Sequence, residues 1–179
     1  GCRDLCKKKL ACALHDDQNW SKNVYNLNTK RALVYEDAAM EWVGGSLGSK
    51  VTMLYPCSIL LGKGGSARHL NIATAAGGQW KDTGAKVIHA APHTSSRVIS
   101  KSVSMKGGRS SYRGLLKIAK GARGSASHVQ CDALLLDDQA QADTYPYMEV
   151  YENDVDIMHE ATVNRVTDEQ LFYLRSRGL

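Results

Sequence analysis

The sequence predicts an all-β fold. Three observations carry that prediction: many short apolar or alternating runs, Gly/Ser-rich breaks between them, and few aromatic residues. The runs are ALVYEDAAMEWV, KVTMLYPCSILL, KVIHAA, RVISKSVSM, YRGLLKIA, VQCDALLL, YPYMEVYE and VDIMHEATV, each β-branched or alternating with period two. Between them lie GGSLGS, GKGGSA, AAGGQWKDTGA, MKGGRSS and KGARGSAS, whose glycines and serines mark turns. Short strands at roughly 8–12-residue spacing build a sandwich, a barrel or a β-solenoid. With one phenylalanine, Phe172, the interior has to be built mainly from Val, Ile, Leu and Ala. That favours the solenoid, where like residues stack from coil to coil. No strict repeat is visible, so periodicity alone leaves all three open.

One helix is expected, in TDEQLFYLRSRG. Thr167 is placed as N-cap and Gln170 at the third helical position, which makes a capping box, and Asp168 and Glu169 suit the positive helix end. Arg175 and Arg177 suit the last turn, and Gly178 suits the stop. A helix finishing at a chain end points to a longer parent.

The chain has 179 residues, enough for one domain with a substantial core. Hydrophobic residues make up 43% and charged residues 23%, a globular and not a disordered balance. No run approaches the roughly 20 apolar residues of a membrane span, and no secretory signal opens the chain, so a soluble intracellular protein is expected. The net charge of +5 divides into +13 over residues 1–131 and −8 over 132–179. The basic residues are scattered without aromatic stacking motifs, which speaks for a solvated face and against nucleic acid. The opposed charges suit a protein partner. Five cysteines without a secretion signal argue against a disulfide framework, and the spacing of Cys2, Cys6 and Cys12 lacks the C-x-x-C pairing of zinc sites.

The chemistry concentrates in HVQCDALLL and DIMHEATVNRV. Buried cysteines are usually inert, yet here a thiol (Cys131), an imidazole (His159) and a carboxylate (Glu160) fall on strands that can be neighbours. Together they could form a metal site or a sulfur-handling site. By strand parity His128 and Asp132 face away from Cys131, and His159 and Glu160 face opposite ways unless a bulge intervenes. GKGGS at 62–66 and KGGRSS at 106–111 do not match a phosphate loop and read as turns.

QNWSKNVYNLNTKRAL, DTGAKVIHAAPHTSSRVISKSVS, SSYRGLLKI, VQCDALLL, DTYPYMEV and HEATVNRVTDEQLFYLRSRGL together resemble the SufB/SufD family of the SUF iron–sulfur cluster assembly system. HEAT at 159–162 with QCD at 130–132 resembles the SufB branch. The resemblance implies a right-handed parallel β-helix over 18–166 and the start of a helical C-terminal domain at 167–179. Residues 1–17 are a poorly matching segment, carrying CALHDD where the family has a strand like RYTTI.

The function it implies is that of a scaffold, not an enzyme. Such a scaffold builds a transient Fe–S cluster at an interface with a SufD-like paralogue, in a complex with a SufC-type ATPase that handles the ATP. A cysteine desulfurase system donates the sulfur, and the setting is the cytoplasm or a plastid stroma. The resemblance assigns cluster assembly to Cys131, with Glu160 and His159 beside it as cluster ligands. It assigns Lys30, Gln18 and Trp20 to an internal sulfur path. The alternatives are a structural SufD-like subunit, or a metal-dependent enzyme on a β-solenoid.

Overall fold

A computed structural model describes residues 3–178. In chain order the strands are β1 (Arg3–Cys6), β2 (Ala11–Gln18), β3 (Tyr25–Asn28), β4 (Arg31–Val34), β5 (Ala39–Ser46), β6 (Val51–Leu54) and β7 (Cys57–Leu60). Then come β8 (Ser66–Ala75), β9 (Trp80–His89), β10 (Ser95–Ser104), β11 (Arg109–Ile118), β12 (Ser125–Leu135), β13 (Gln141–Val150) and β14 (Val155–Arg165). A helix, α1 (Asp168–Ser176), follows.

Every strand pairing is parallel, and the strands form a β-solenoid of about 5 turns. One sheet runs β2-β5-β8-β10-β12-β14 and the other β1-β4-β7-β9-β11-β13, with β3 and β6 alongside. From β7 onward successive strands alternate between the sheets, whereas β3 with β4 and β6 with β7 are consecutive strands of the same sheet. Alternation within a strand sorts the faces: Ser96, Val98 and Ser100 of β10 are buried while Arg97 and Lys101 are exposed. Val34, Met40, Leu60, Val87, Leu116 and Ile118 fill the centre.

The interior also holds hydroxyls that satisfy one another, as in Ser96 Oγ to Ser127 Oγ at 2.8 Å and Ser104 Oγ to Ser110 Oγ at 2.9 Å. Two buried histidines join such networks. His89 has Nδ1 2.8 Å from Thr94 Oγ1 and Nε2 2.9 Å from Ser96 Oγ.

The solenoid fulfils the expected fold class, with finer punctuation than the sequence shows. ALVYEDAAMEWV is two strands, β4 and β5, split by a turn in which Asp37 has φ +53°. KVTMLYPCSILL is likewise split, into β6 and β7, at Tyr55–Pro56, since proline has no N–H for the ladder. One strand, β8 (SARHLNIATA), is not among the expected runs, and β9 begins inside the expected turn AAGGQWKDTGA, six residues before the expected KVIHAA, and contains Gly84. A Cβ at Gly84 would sit 1.8 Å from the Arg113 carbonyl oxygen. The glycine therefore permits close strand approach and does not mark a turn.

Ala11–Gln18, of which all but Gln18 belong to the poorly matching 1–17 segment, forms β2 and pairs with β5. Among the described residues β13 and β14 each pair on one side only, leaving two open edges at the C-terminal end. The helix matches its expected capping: Thr167 accepts from the Gln170 amide, the Gln170 side chain accepts from the Thr167 amide, and Gly178 lies beyond the cap at φ +83°. Among the described residues no helix is long and apolar enough to cross a membrane.

Candidate functional site around Cys131

Register places functional side chains in rows. Across the β2–β14 sheet, one inward row runs Asp16, Gly44, Asn71, Ser100, Cys131, Ala161. With strands about 4.8 Å apart, Asp16 and Cys131 are separated by about 19 Å along this row. The row two residues earlier runs Leu14, Trp42, His69, Val98, Val129, His159. One row is thus mainly polar and its neighbour mainly apolar, both facing the interior.

Cys131 is buried, 5% exposed. Burial pushes its thiol up to about 12; a hydrogen bond from the Tyr112 hydroxyl opposes that rise and Asp132 adds to it. The thiol is therefore protonated at neutral pH in this chain. Tyr112, on β11, reaches Cys131 across the core and is itself buried. Its ring lies over Gly114, where a Cβ would come within 2.8 Å of it.

Three cavities border Tyr112. One is lined by Asp16, Lys30, Trp42, His69 and Asn71, a second by Thr83, Ser111 and Cys131, both touching Ser100, and a third by Val87, Val129 and His159.

The sequence-derived site residues divide accordingly. Lys30, just before β4, forms an ion pair with Asp16 and borders the first cavity. Gln18 is buried, and its Nε2 donates to Asp16 Oδ2 at 2.7 Å. Trp20 lies in the β2–β3 connection, outside the alternating strand positions, and the residue is 55% exposed.

The Cys131, His159 and Glu160 set does not converge as a metal site. β14 pairs with β12 residue for residue, without a bulge, so Cys131 faces Ala161 and Glu160 lies outward beside Gln130. His159 faces inward over Val129. Its Nε2 is buried without a partner. Among the described residues no three His, Cys, Asp or Glu side chains are grouped to hold a metal ion. Of the spaced cysteines, Cys2 lies outside the described residues, while Cys12 is a free, half-buried thiol on β2. Asp132 turns outward as parity expects, 3.2 Å from Lys101 Nζ. His69, Asn71 and Tyr112 were not singled out from the sequence; in SARHLNIATA the apolar Leu70 and Ile72 face outward, so alternation gives no signal for the first two.

Comparison with known proteins decides the lineage. The family described as SUF system FeS cluster assembly, SufBD core domain, matches residues 7–179. The chain belongs to the SufBD family. An iron–sulfur cluster assembly SufBD family protein of Mycobacterium tuberculosis is 56% identical over 162 residues, covering 90% of this chain and 19% of that protein. One of Staphylococcus aureus is 52% identical over 162 residues, covering 90% of this chain and 35% of that protein. The chain thus spans about a fifth to a third of the length of these SufBD relatives. The SufBD match takes in β2 as well as the later coils, and the family's part in cluster assembly gives the buried thiol of β12 a chemical context.

Proposed function

We propose that this chain is the cluster-site portion of a SufB-type scaffold, building a labile Fe–S cluster at an interface with a SufD-like partner. The observation that carries the reading is Cys131, an interior thiol one strand from the open β14 edge and at the end of a polar row. A single thiolate is too few for a stably held four-thiolate cluster. Ligands from a partner would complete a loosely held one, which suits a protein that gives its cluster away.

The open edges of β13 and β14, with exposed Tyr147, Met158 and Val163, support docking of another chain. Because Cys131 is buried and protonated here, its thiolate forms in the complex, where docking shifts β14. Glu160, outward on that edge, supplies the carboxylate. A SufC-type ATPase supplies nucleotide chemistry, since both glycine-rich segments form corners between strands and neither opens a helix.

The test is anaerobic reconstitution of the complete parent chain with iron and sulfide, in the presence of its partner and the ATPase, followed by visible charge-transfer absorption. Cys131→Ala should abolish the colour while Cys57→Ala retains it; equal colour from Cys131→Ala would return Cys131 to the inert core. The raised thiol pKa favours one second reading, a structural SufD-like subunit. Unchanged assembly after replacing both Cys131 and Glu160 would select it.

A further inference from the structure

Basic and aromatic residues that lie far apart in the sequence meet on the outer face of the sheet around β9. Alternation along β9 sends Lys81, Ala85 and Val87 to the core and Trp80, Asp82 and Lys86 to the outside. With Met53, Tyr55 and Arg113, these three outward residues line an open cleft of about 370 Å³.

Cations stand on aromatic rings around this cleft. Arg109 lies 5.5 Å from the Trp80 ring centre, Lys86 5.5 Å from that of Tyr55, and Arg113 4.5 Å from that of Tyr145. Lys50 lies 5.9 Å from the Tyr25 ring, and its carbonyl oxygen accepts from the Trp80 amide at 2.8 Å. Such contacts hold long side chains in place before a guest arrives, which lowers the entropic cost of binding.

The charges are not all spent within the fold. Arg109, Arg113 and Lys117 are paired with Asp143, Asp82 and Glu149. Lys50 and Lys86 are exposed and have no ion pair among the described residues. Six residues of β9 separate Trp80, bonded to Lys50, from Lys86, so the two free cations mark the ends of a track about 20 Å long.

The floor of the cleft lacks a donor. Asp82 is 2% exposed; its Oδ2 accepts from Arg113 Nε at 2.8 Å, while Oδ1 is buried without a partner. An unpaired carboxylate oxygen is costly and calls for a guest or a reason. Burial and the Asp82 carboxylate raise the Tyr55 phenol to about 12, so it stays neutral beside the acid.

We propose that this cleft docks an extended acidic segment of a partner protein. Two carboxylates of the segment meet Lys50 and Lys86. An apolar or aromatic side chain between them settles against Met53, Tyr55 and Trp80, and a backbone N–H of the segment supplies Asp82 with its missing donor. Trp, Tyr and Arg are the residues that dominate binding energy at protein interfaces. The stacked cations cover ring faces that the bases of a nucleic-acid strand would need, which favours a peptide. The cleft lies on a sheet face, apart from the open edges of β13 and β14, and does not rest on the scaffold reading.

The probe is a fluorescein-labelled peptide with two glutamates six residues apart and a phenylalanine midway, titrated with the complete parent chain and followed by anisotropy. A saturable rise is expected, weakened by salt and lost when glutamines replace the glutamates. Lys50→Glu and Lys86→Glu should each weaken binding about fivefold or more, since an exposed ion pair is lost and a like charge takes its place. Arg97→Glu, on the opposite sheet, should leave binding unchanged; wild-type thermal unfolding reports that each variant is folded. No saturable rise, equal binding of the glutamine peptide, or an equal loss from Arg97→Glu overturns the proposal. Tighter binding of an oligothymidylate also overturns it and gives the face to nucleic acid. Cluster reconstitution should be intact in the Lys50→Glu, Lys86→Glu double variant, and peptide binding intact in Cys131→Ala. Clusters lost with the two lysines would make the cleft part of the assembly interface and overturn a separate partner, whereas clusters formed without Cys131 would overturn the scaffold reading alone.

Discussion

Acidification presses protons on two imidazoles that the folded chain cannot charge. His69 and His89 are 3% and 0% exposed, and burial lowers their pKa values from 6.5 to about 3 and about 4. The unfolded chain binds protons near pH 6.5 and the folded one does not. Stability is therefore full above pH 6.5 and falls as pH drops toward the folded values. At about 1.4 kcal/mol per unit, each histidine removes about 3 kcal/mol by pH 4, and the pair about 6 kcal/mol. Against a typical domain stability of about 5–15 kcal/mol, that loss is enough to bring unfolding into reach.

The carboxylates held below their usual range, exposed Glu36 and half-buried Asp137, Glu149 and Glu152, act at lower pH, so the window from 6.5 to 4.5 is dominated by the histidines. Urea unfolding followed by tryptophan fluorescence should show the midpoint falling steadily across that window. His69→Gln and His89→Gln should each flatten the slope by roughly half. A flat wild-type profile between pH 7 and 4.5, or an unchanged slope in the double variant, would refute the reasoning.

Lys81 is fully buried, with Nζ donating to the Ser49 carbonyl oxygen at 3.0 Å and burial lowering its pKa to about 8. The unfolded chain then binds the extra proton between pH 8 and 10.5. Urea midpoints should rise with pH across that interval, and Lys81→Met should lack the rise. Gly84→Ala places a Cβ 1.8 Å from the Arg113 carbonyl oxygen, so thermal unfolding should reveal a loss of about 1–3 kcal/mol or more. Iodoacetamide should modify half-buried Cys12 well before Cys131, whose rate climbs with pH toward 12. Tyr112→Phe, which removes the opposing hydrogen bond, should slow Cys131 further at each pH; an equal or faster rate would count against that bond.

Parity was enough to orient β12 and β14 from the sequence. Alternation put Cys131 on one face with His128 and Asp132 on the other, and split His159 from Glu160, as the ladder shows. It could not show which residues on different coils share a row. Along Asp16, Gly44, Asn71, Ser100, Cys131 and Ala161 the steps are 28, 27, 29, 31 and 30 residues. Corners of unequal length absorb these differences, so no period appears in the sequence although the strands are in strict register. A one-residue error in any corner would turn Asn71 outward and erase the row. The same arithmetic explains why Asn71 was passed over. Trp20 sits in a connection where alternation has no meaning, whereas Asn71 is polar at a position that only the ladder identifies as interior.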